Sequence, residues 1–239
     1  VSTAEVTRNL EIVRTRVAQA ARAAGRGPDA VRLLAVSKTK PVEEIAAAMA
    51  AGQVDFGENY AQELRDKRAL FVAQGGPQPR WHFIGPLQSN KAKYLAGKVS
   101  LIHTVDGVGL LDELERRTAA AEPTGVQDCL IQVNVASEAQ KSGIAPAALP
   151  GLLDHFADRP HLRCVGLMVI PPYVDDPEAA RPHFAALRRL RDQEAQTPRA
   201  RVALEQLSMG MSHDLEVAIE EGATLVRVGT AIFGARNRP

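Results

Sequence analysis

Short apolar runs alternate with amphipathic stretches along almost the whole chain. The runs are Val31–Val36, Gln53–Phe56, Trp81–Ile84, Ser100–His103, Cys129–Val135, Leu162–Val169, Ala203–Leu207 and Thr224–Val228. Each is of strand length, and the segments between them carry helical spacing. Helices are expected to start near Pro41, Asn59, Gln88, Gly107, Pro146, Pro177 and Ser212. Asn59-x-x-Gln62 has the form of a capping box, and Ser212 is a good N-cap residue. Gly52, Gly97, Gly125 and Gly222 each follow a helical pattern, as C-cap glycines do. Ahead of the first run, Val6, Leu10, Val13, Val17 and Ala20 fall on one helical stripe, which Gly25, Gly27 and Pro28 end.

Eight strands alternating with helices over roughly 210 residues is the count of a (β/α)8 barrel. The predicted class is therefore α/β, a TIM-type barrel over residues 31–239 with an extra N-terminal helix over residues 1–25. An open doubly wound sheet is the alternative. No Gly/Ser-rich or Pro-rich linker divides the chain, so residues 1–239 are expected to form one domain.

Composition narrows the function without naming it. Hydrophobic residues make up 45% of the 239, but aromatics only 4%, so alanine, leucine and valine must build the core. The formal charge is +1, from 29 basic and 28 acidic residues, which argues against a dedicated nucleic-acid surface. Cys129 and Cys164 form no CxxC pair, and the six histidines show no HExxH or HxH spacing, so no metal site is expected. There is no apolar stretch of membrane-spanning length and no hydrophobic leader segment, so a cytoplasmic protein is expected.

The candidate chemistry lies where a barrel would put it, at the C-terminal ends of the strands. Val31-Arg-Leu-Leu-Ala-Val-Ser-Lys38 ends the first strand on a lysine. A mostly apolar setting favours the neutral amine, the form that attacks an aldehyde. By itself Lys38 reads more readily as a solvated loop residue, beside Lys40; the rest of the chain reverses that. After strands seven and eight come Ser208-Met-Gly210-Met-Ser212 and Gly229-Thr230. Glycines admit an oxyanion close to the backbone and hydroxyls add donors, so these loops suit a phosphate; as ordinary turns they would look the same. Arg227 interrupts an apolar strand. Alternation puts Leu225, Arg227 and Gly229 on one face and Val226 and Val228 on the other. A buried guanidinium needs a partner, either a ligand or a structural carboxylate such as Glu205. His82 and His103 could line the site or cap strand ends. Glu58, Asp106 and Asp214 are possible partners for rim cations.

Taken together these segments resemble the pyridoxal phosphate (PLP) homeostasis proteins, related in fold to the N-terminal barrel of alanine racemase. The resemblance covers nearly the whole chain. It is carried by Ala35-Val-Ser-Lys-Thr-Lys-Pro41, Phe56-Gly-Glu-Asn-Tyr60, Trp81-His-Phe-Ile-Gly85, Leu87-Gln-Ser-Asn-Lys91, Ile102-His-Thr-Val-Asp106, Gln132-Val-Asn-Val135, Lys141-Ser-Gly143, Gly166-Leu-Met168, Leu207-Ser-Met-Gly-Met-Ser212 and Arg227-Val-Gly-Thr-Ala-Ile-Phe-Gly234. It implies that Lys38 forms a Schiff base with pyridoxal 5′-phosphate. Ser208, Gly210, Gly229 and Thr230 would hold the phosphate, Arg227 would face the pyridine nitrogen, and Asn59 and Met168 would border the ring. It also implies a non-catalytic role in intracellular PLP homeostasis, with PLP-dependent apoenzymes as recipients and a monomer as the expected state. One alternative is a racemase-like PLP enzyme. The chain ends at Pro239 just after the eighth unit, so the second domain such an enzyme draws on is not expected. The other alternative is a barrel enzyme acting on a phosphorylated metabolite with Lys38 as its Schiff-base lysine.

Overall fold

In the computed structural model, which describes residues 1–136 and 142–235, every apolar run becomes a strand. The strands are β1 (Arg32–Val36), β2 (Asp55–Glu58), β3 (Arg80–Phe83), β4 (Leu101–Val105), β5 (Gln127–Gln132), β6 (Leu162–Met168), β7 (Val202–Ser208) and β8 (Leu225–Val228). All neighbours are parallel and the sheet closes in the order β1 through β8. The seam pairs Arg32 with Leu225 and Leu34 with Arg227. The expected (β/α)8 architecture is the one found, and the open sheet is excluded. Lys141 and the last four residues lie outside the described residues.

The helices are α1 (Thr3–Ala23), α2 (Val42–Ala50), α3 (Ala61–Gln74), α4 (Val108–Ala121), α5 (Leu149–Asp154), α6 (Arg181–Glu194), α7 (Leu215–Glu220) and α8 (Thr230–Phe233). The crossover after β3 is a 3-10 turn, Ser89–Tyr94, rather than an α-helix. The stripe of α1 is buried as expected, and the helix opens on a Ser2–Glu5 capping box, which contributes about 1 kcal/mol. It packs against α2, α7 and α8, bracing both sides of the seam.

Two capping expectations are corrected. The N-cap of α3 is Tyr60, with no side-chain cap bond, so Asn59 does not cap it. The N-cap of α7 is Asp214, and Ser212 instead accepts a bond from the Ala231 backbone N–H at 3.4 Å. Both polar side chains are thereby left to the barrel mouth. Gly52, Gly97 and Gly222 do adopt positive φ after helices, whereas Gly125 does not.

The alternation predicted for β8 holds around the barrel. Val226 and Val228 join the layer between strands and helices, with Leu33, Ala35, Phe56, Trp81 and Phe83. The interior holds an apolar cluster of Leu101, Leu130, Val165, Met168 and Leu225, and a second of Leu34, Val36 and Ile84. Between these sits a run of buried polar side chains: Asp55, His82, His103, Ser208 and Arg227. No helix among the described residues is long and apolar enough to cross a membrane.

Candidate functional site

Two of the hollows in the structure lie at opposite ends of the barrel. The larger, about 380 Å³, lies at the N-terminal ends of β1–β3 beside α1 and is lined by Arg14, Arg32, Asp55 and Arg80 among others. The other, about 270 Å³, lies at the C-terminal ends. Chemistry decides between them. The C-terminal one gathers Lys38, Asn59, Arg227, Gly229 and Thr230, five of the residues singled out from sequence. It also takes in Val36, Ile84, Ile170, Tyr173, Met211, Ser212 and His213. The mix of an apolar wall and a few convergent polar groups is that of a small-molecule site.

Lys38 shares the inward phase of Leu34 and Val36. Its neighbours face the other way and are held fast. Ser37 Oγ donates to Glu58 Oε1 at 2.6 Å, and the Ser37 carbonyl accepts from Lys67 Nζ at 2.7 Å. Lys67 Nζ also reaches Glu58 Oε1 at 2.8 Å and Glu63 Oε1 at 2.7 Å, which uses all three ammonium protons. Glu63 Oε1 accepts from the Thr39 backbone N–H at 2.6 Å. Thr39 has φ 63, a left-handed conformation that a β-branched residue holds only when its surroundings impose it. Burial raises the Glu58 pKa, with Lys67 and Ser37 opposing. Lys40, the neighbour of Lys38, is tied to the carbonyls of Phe233 and Ala235 at 2.5 and 3.2 Å. Glu58 therefore serves as a partner for Lys67, behind the wall.

Arg227 points inward. Its Nη1 donates to Ser208 Oγ at 2.7 Å and its Nη2 to the Val169 carbonyl at 2.8 Å. Glu205 is exposed and is not its partner. Burial pulls the Arg227 pKa down to about 10, with Asp214 opposing, so the guanidinium stays charged at neutral pH. The guanidinium also lines the cavity. Gly210, with φ +91, lets the chain after β7 turn so that its carbonyl accepts from the Arg227 backbone N–H at 2.9 Å.

Met168, Ser208 and Gly210 are not among the residues lining the cavity. Met168 belongs to the apolar interior cluster. Ser208 is wholly buried between Arg227 and His103, whose Nδ1 lies 2.9 Å from its Oγ. His103 Nε2 faces His82 Nδ1 at 3.0 Å, and His82 Nε2 faces Asp55 Oδ1 at 2.8 Å. The two histidines thus neither line the site nor cap strands. Of the two serines it is Ser212 that lines the cavity, next to Gly229 and Thr230. Tyr173 stacks on His213 at the mouth, ring centroids 6.0 Å apart. Tyr173, Ile84 and Ile170 carry no sequence signal of their own; only spatial convergence finds them.

The residues present fit a phosphorylated aldehyde with a ring acceptor. There is an amine at Lys38 and a charged donor at Arg227, with a hydroxyl–glycine corner at Ser212, Gly229 and Thr230. The buried Asn59 Oδ1 has no protein partner, which leaves one amide edge for a ligand.

This barrel, with a rim lysine on the first strand and an inward arginine on the last, is of the alanine racemase N-terminal type. The family model described as "Alanine racemase, N-terminal domain" matches residues 6–237. Among curated relatives, the pyridoxal phosphate homeostasis protein of Aquifex aeolicus is 47% identical over 227 residues, 95% of this chain and 96% of that one. That of Escherichia coli K12 is 44% identical over 238 residues, 98% and 97% of the two chains. The chain belongs to the pyridoxal phosphate homeostasis protein family. Among solved structures, PipY of Synechococcus elongatus with PLP bound superposes with a TM-score of 0.78 at 36% identity, covering 91% of this chain and 100% of PipY.

Proposed function

We propose that this protein binds pyridoxal 5′-phosphate as a Schiff base on Lys38 and serves intracellular PLP homeostasis without turnover of its own. The observation that carries the reading is the convergence of Lys38, Arg227 and the Ser212/Gly229/Thr230 corner on one cavity of about 270 Å³. The relatives named for PLP homeostasis and the PLP-bound PipY support it.

When bound, PLP supplies an aldehyde and an electron-withdrawing ring. Each residue then has a distinct task. Lys38 provides the amine, held by its clamped neighbours Ser37 and Thr39. Arg227 donates to the pyridine nitrogen and so disfavours its protonation. The ring is then a weaker electron sink, which suits holding the cofactor better than transforming a substrate. Ser212, Gly229 and Thr230 receive the phosphate, with Gly210 shaping the loop. Ser208 acts through Arg227, and Met168 supports the interior under the ring. Asn59 borders the ring. The protein acts as a cytoplasmic monomer, and PLP-dependent apoenzymes are its recipients.

The test is a spectrum with and without borohydride. Protein with added PLP should show visible absorption that borohydride removes, and mass spectrometry should find the reduced adduct on Lys38. Lys38→Ala should lose the adduct while keeping weaker, phosphate-anchored binding. A colourless protein indifferent to PLP sinks the reading. Robust turnover in a panel of amino acids would make the protein an enzyme.

A further inference from the structure

The polar run inside the barrel has a direction, which follows from its carboxylate end. Asp55 lies at the floor, where Arg80 Nε and Nη2 donate to its Oδ1 and Oδ2 at 2.5 and 2.7 Å. Burial alone would raise the Asp55 pKa, but hydrogen bonds from His82 and Arg80 hold it at about 2. It is a carboxylate and only accepts, so His82 Nε2, at 2.8 Å, carries a proton and donates.

Burial lowers the pKa of His82 against the pull of Asp55, with Arg32 and Arg80 adding to the lowering. It takes His103 far lower still, helped by His82, Arg227 and Arg32. Both rings are therefore neutral, with one N–H each. His82 Nδ1 must accept, so His103 Nε2, at 3.0 Å, donates. His103 Nδ1 must accept in turn, so the Ser208 hydroxyl, at 2.9 Å, donates. The Ser208 oxygen then accepts from Arg227. Arg227 has no acceptor atom at all. The guanidinium end fixes the Arg227–Ser208 link alone; the order of the inner links comes from the carboxylate end and the two neutral rings.

We propose that Asp55, His82, His103 and Ser208 form a single polarised chain, Arg227→Ser208→His103→His82→Asp55, whose proton order is set at the barrel floor and which positions Arg227 toward the cavity. Each is a positioning residue. A hydroxyl that donates is a better acceptor, so the chain strengthens the hold on Arg227 at its far end. The effect on the cofactor rests on the PLP reading; the proton order does not.

The experiment has two arms. Long-range ¹H–¹⁵N spectra of protein without PLP at about pH 7.5 should show His82 and His103 neutral and protonated at Nε2. Asp55→Asn removes the obligate acceptor and should release both tautomers. Ser208→Ala should leave both at Nε2, because the order comes from the floor. In the second arm, PLP titrations of either variant should show affinity reduced about tenfold or more and a shifted visible band.

A cationic ring or an Nδ1-protonated one in the wild type overturns the proposal, as does scrambling of the tautomers by Ser208→Ala. Unchanged PLP affinity and spectrum in Ser208→Ala overturns the link to Arg227, and this variant decides if Asp55→Asn does not fold. Failure of the wild type to bind PLP would instead refute the cofactor reading and leave the tautomers as a separate finding.

Discussion

Replacing Lys67 with methionine tests whether the ion cluster behind Lys38 is as buried and as coupled as its geometry demands. Lys67 and Glu58 have side chains only 8% and 0% exposed, so solvent hardly screens the pair. Removal of the ammonium leaves Glu58 with one carboxylate oxygen held only by Ser37 and the other, Oε2, already without a partner. The cheapest escape is to take up a proton. From an ordinary value of 4.5, neutralising a carboxyl at about pH 7 costs about 3.4 kcal/mol, at about 1.36 kcal/mol per pKa unit. That figure is a ceiling on the charge penalty. At about pH 5 the same ceiling is only about 0.7 kcal/mol. Loss of the bond to the Ser37 carbonyl adds about 1 kcal/mol at either pH.

The sign follows from linkage. A carboxyl whose folded pKa is raised is penalised only where the unfolded chain would ionise it. The loss is therefore small near 4.5 and grows as pH rises toward the folded pKa. Lys67→Met should lose roughly 2 kcal/mol more at pH 7 than at pH 5. For a chain of this size that is a further fall in Tm of roughly 4–8 °C. Thermal unfolding of wild type, Lys67→Met and Lys67→Met/Glu58→Gln at both pH values measures it. The double variant should lose the pH dependence. Equal destabilisation of Lys67→Met at the two pH values, or none, refutes the argument.

Three further outcomes follow from the same geometry. Arg227→Leu should weaken PLP binding roughly 10- to 100-fold, the range for losing a hydrogen bond to a charged group, as read by titration of the visible band. Gly210→Ala should destabilise by more than about 1 kcal/mol. Its φ is +91, and an added Cβ would meet Ala218 Cβ at 2.5 Å; denaturant unfolding checks it. Cys129 and Cys164 are fully buried, and burial raises the Cys129 thiol well above its ordinary range and pushes Cys164 up to about 12. Both should resist a maleimide in the folded protein and react only on unfolding.

The barrel could be read from the sequence because its signals are local. Each strand is a compact apolar run, and the direction of Arg227 follows from two-residue alternation with Val226 and Val228. Lys38 and the Gly229-Thr230 corner could be placed because strand ends define the rim. What escaped the sequence depends on contacts between distant elements. Nothing near Lys67 says that its amine meets Ser37, 30 residues earlier. The histidines of β3 and β4 find their role only once β2 and β7 stand beside them. Ser208 and Ser212 look alike as loop hydroxyls, yet one is buried against Arg227 and the other faces the cavity. Cap preference alone put Ser212 on the helix, whereas the contact with Ala231 turns it to the rim.

The seam between β1 and β8 has a consequence for how the molecule assembles. Lys38 follows the first strand, while Arg227 belongs to the last, and the two share a cavity only because Leu34 pairs with Arg227 across the closure. α1 spans that junction, with Asn9 bonding the Ile232 carbonyl at 3.1 Å and Arg16 bonding the Ser212 carbonyl at 3.3 Å. Closing so long a loop is a slow, non-local step. A half-built chain holds the amine but not the guanidinium or the phosphate corner. A small molecule bound between them, as proposed, would discriminate finished from unfinished chains, and by mass action it would draw late folding species toward the closed form. The proposed ligand site would in this sense also register the completion of the chain's own fold.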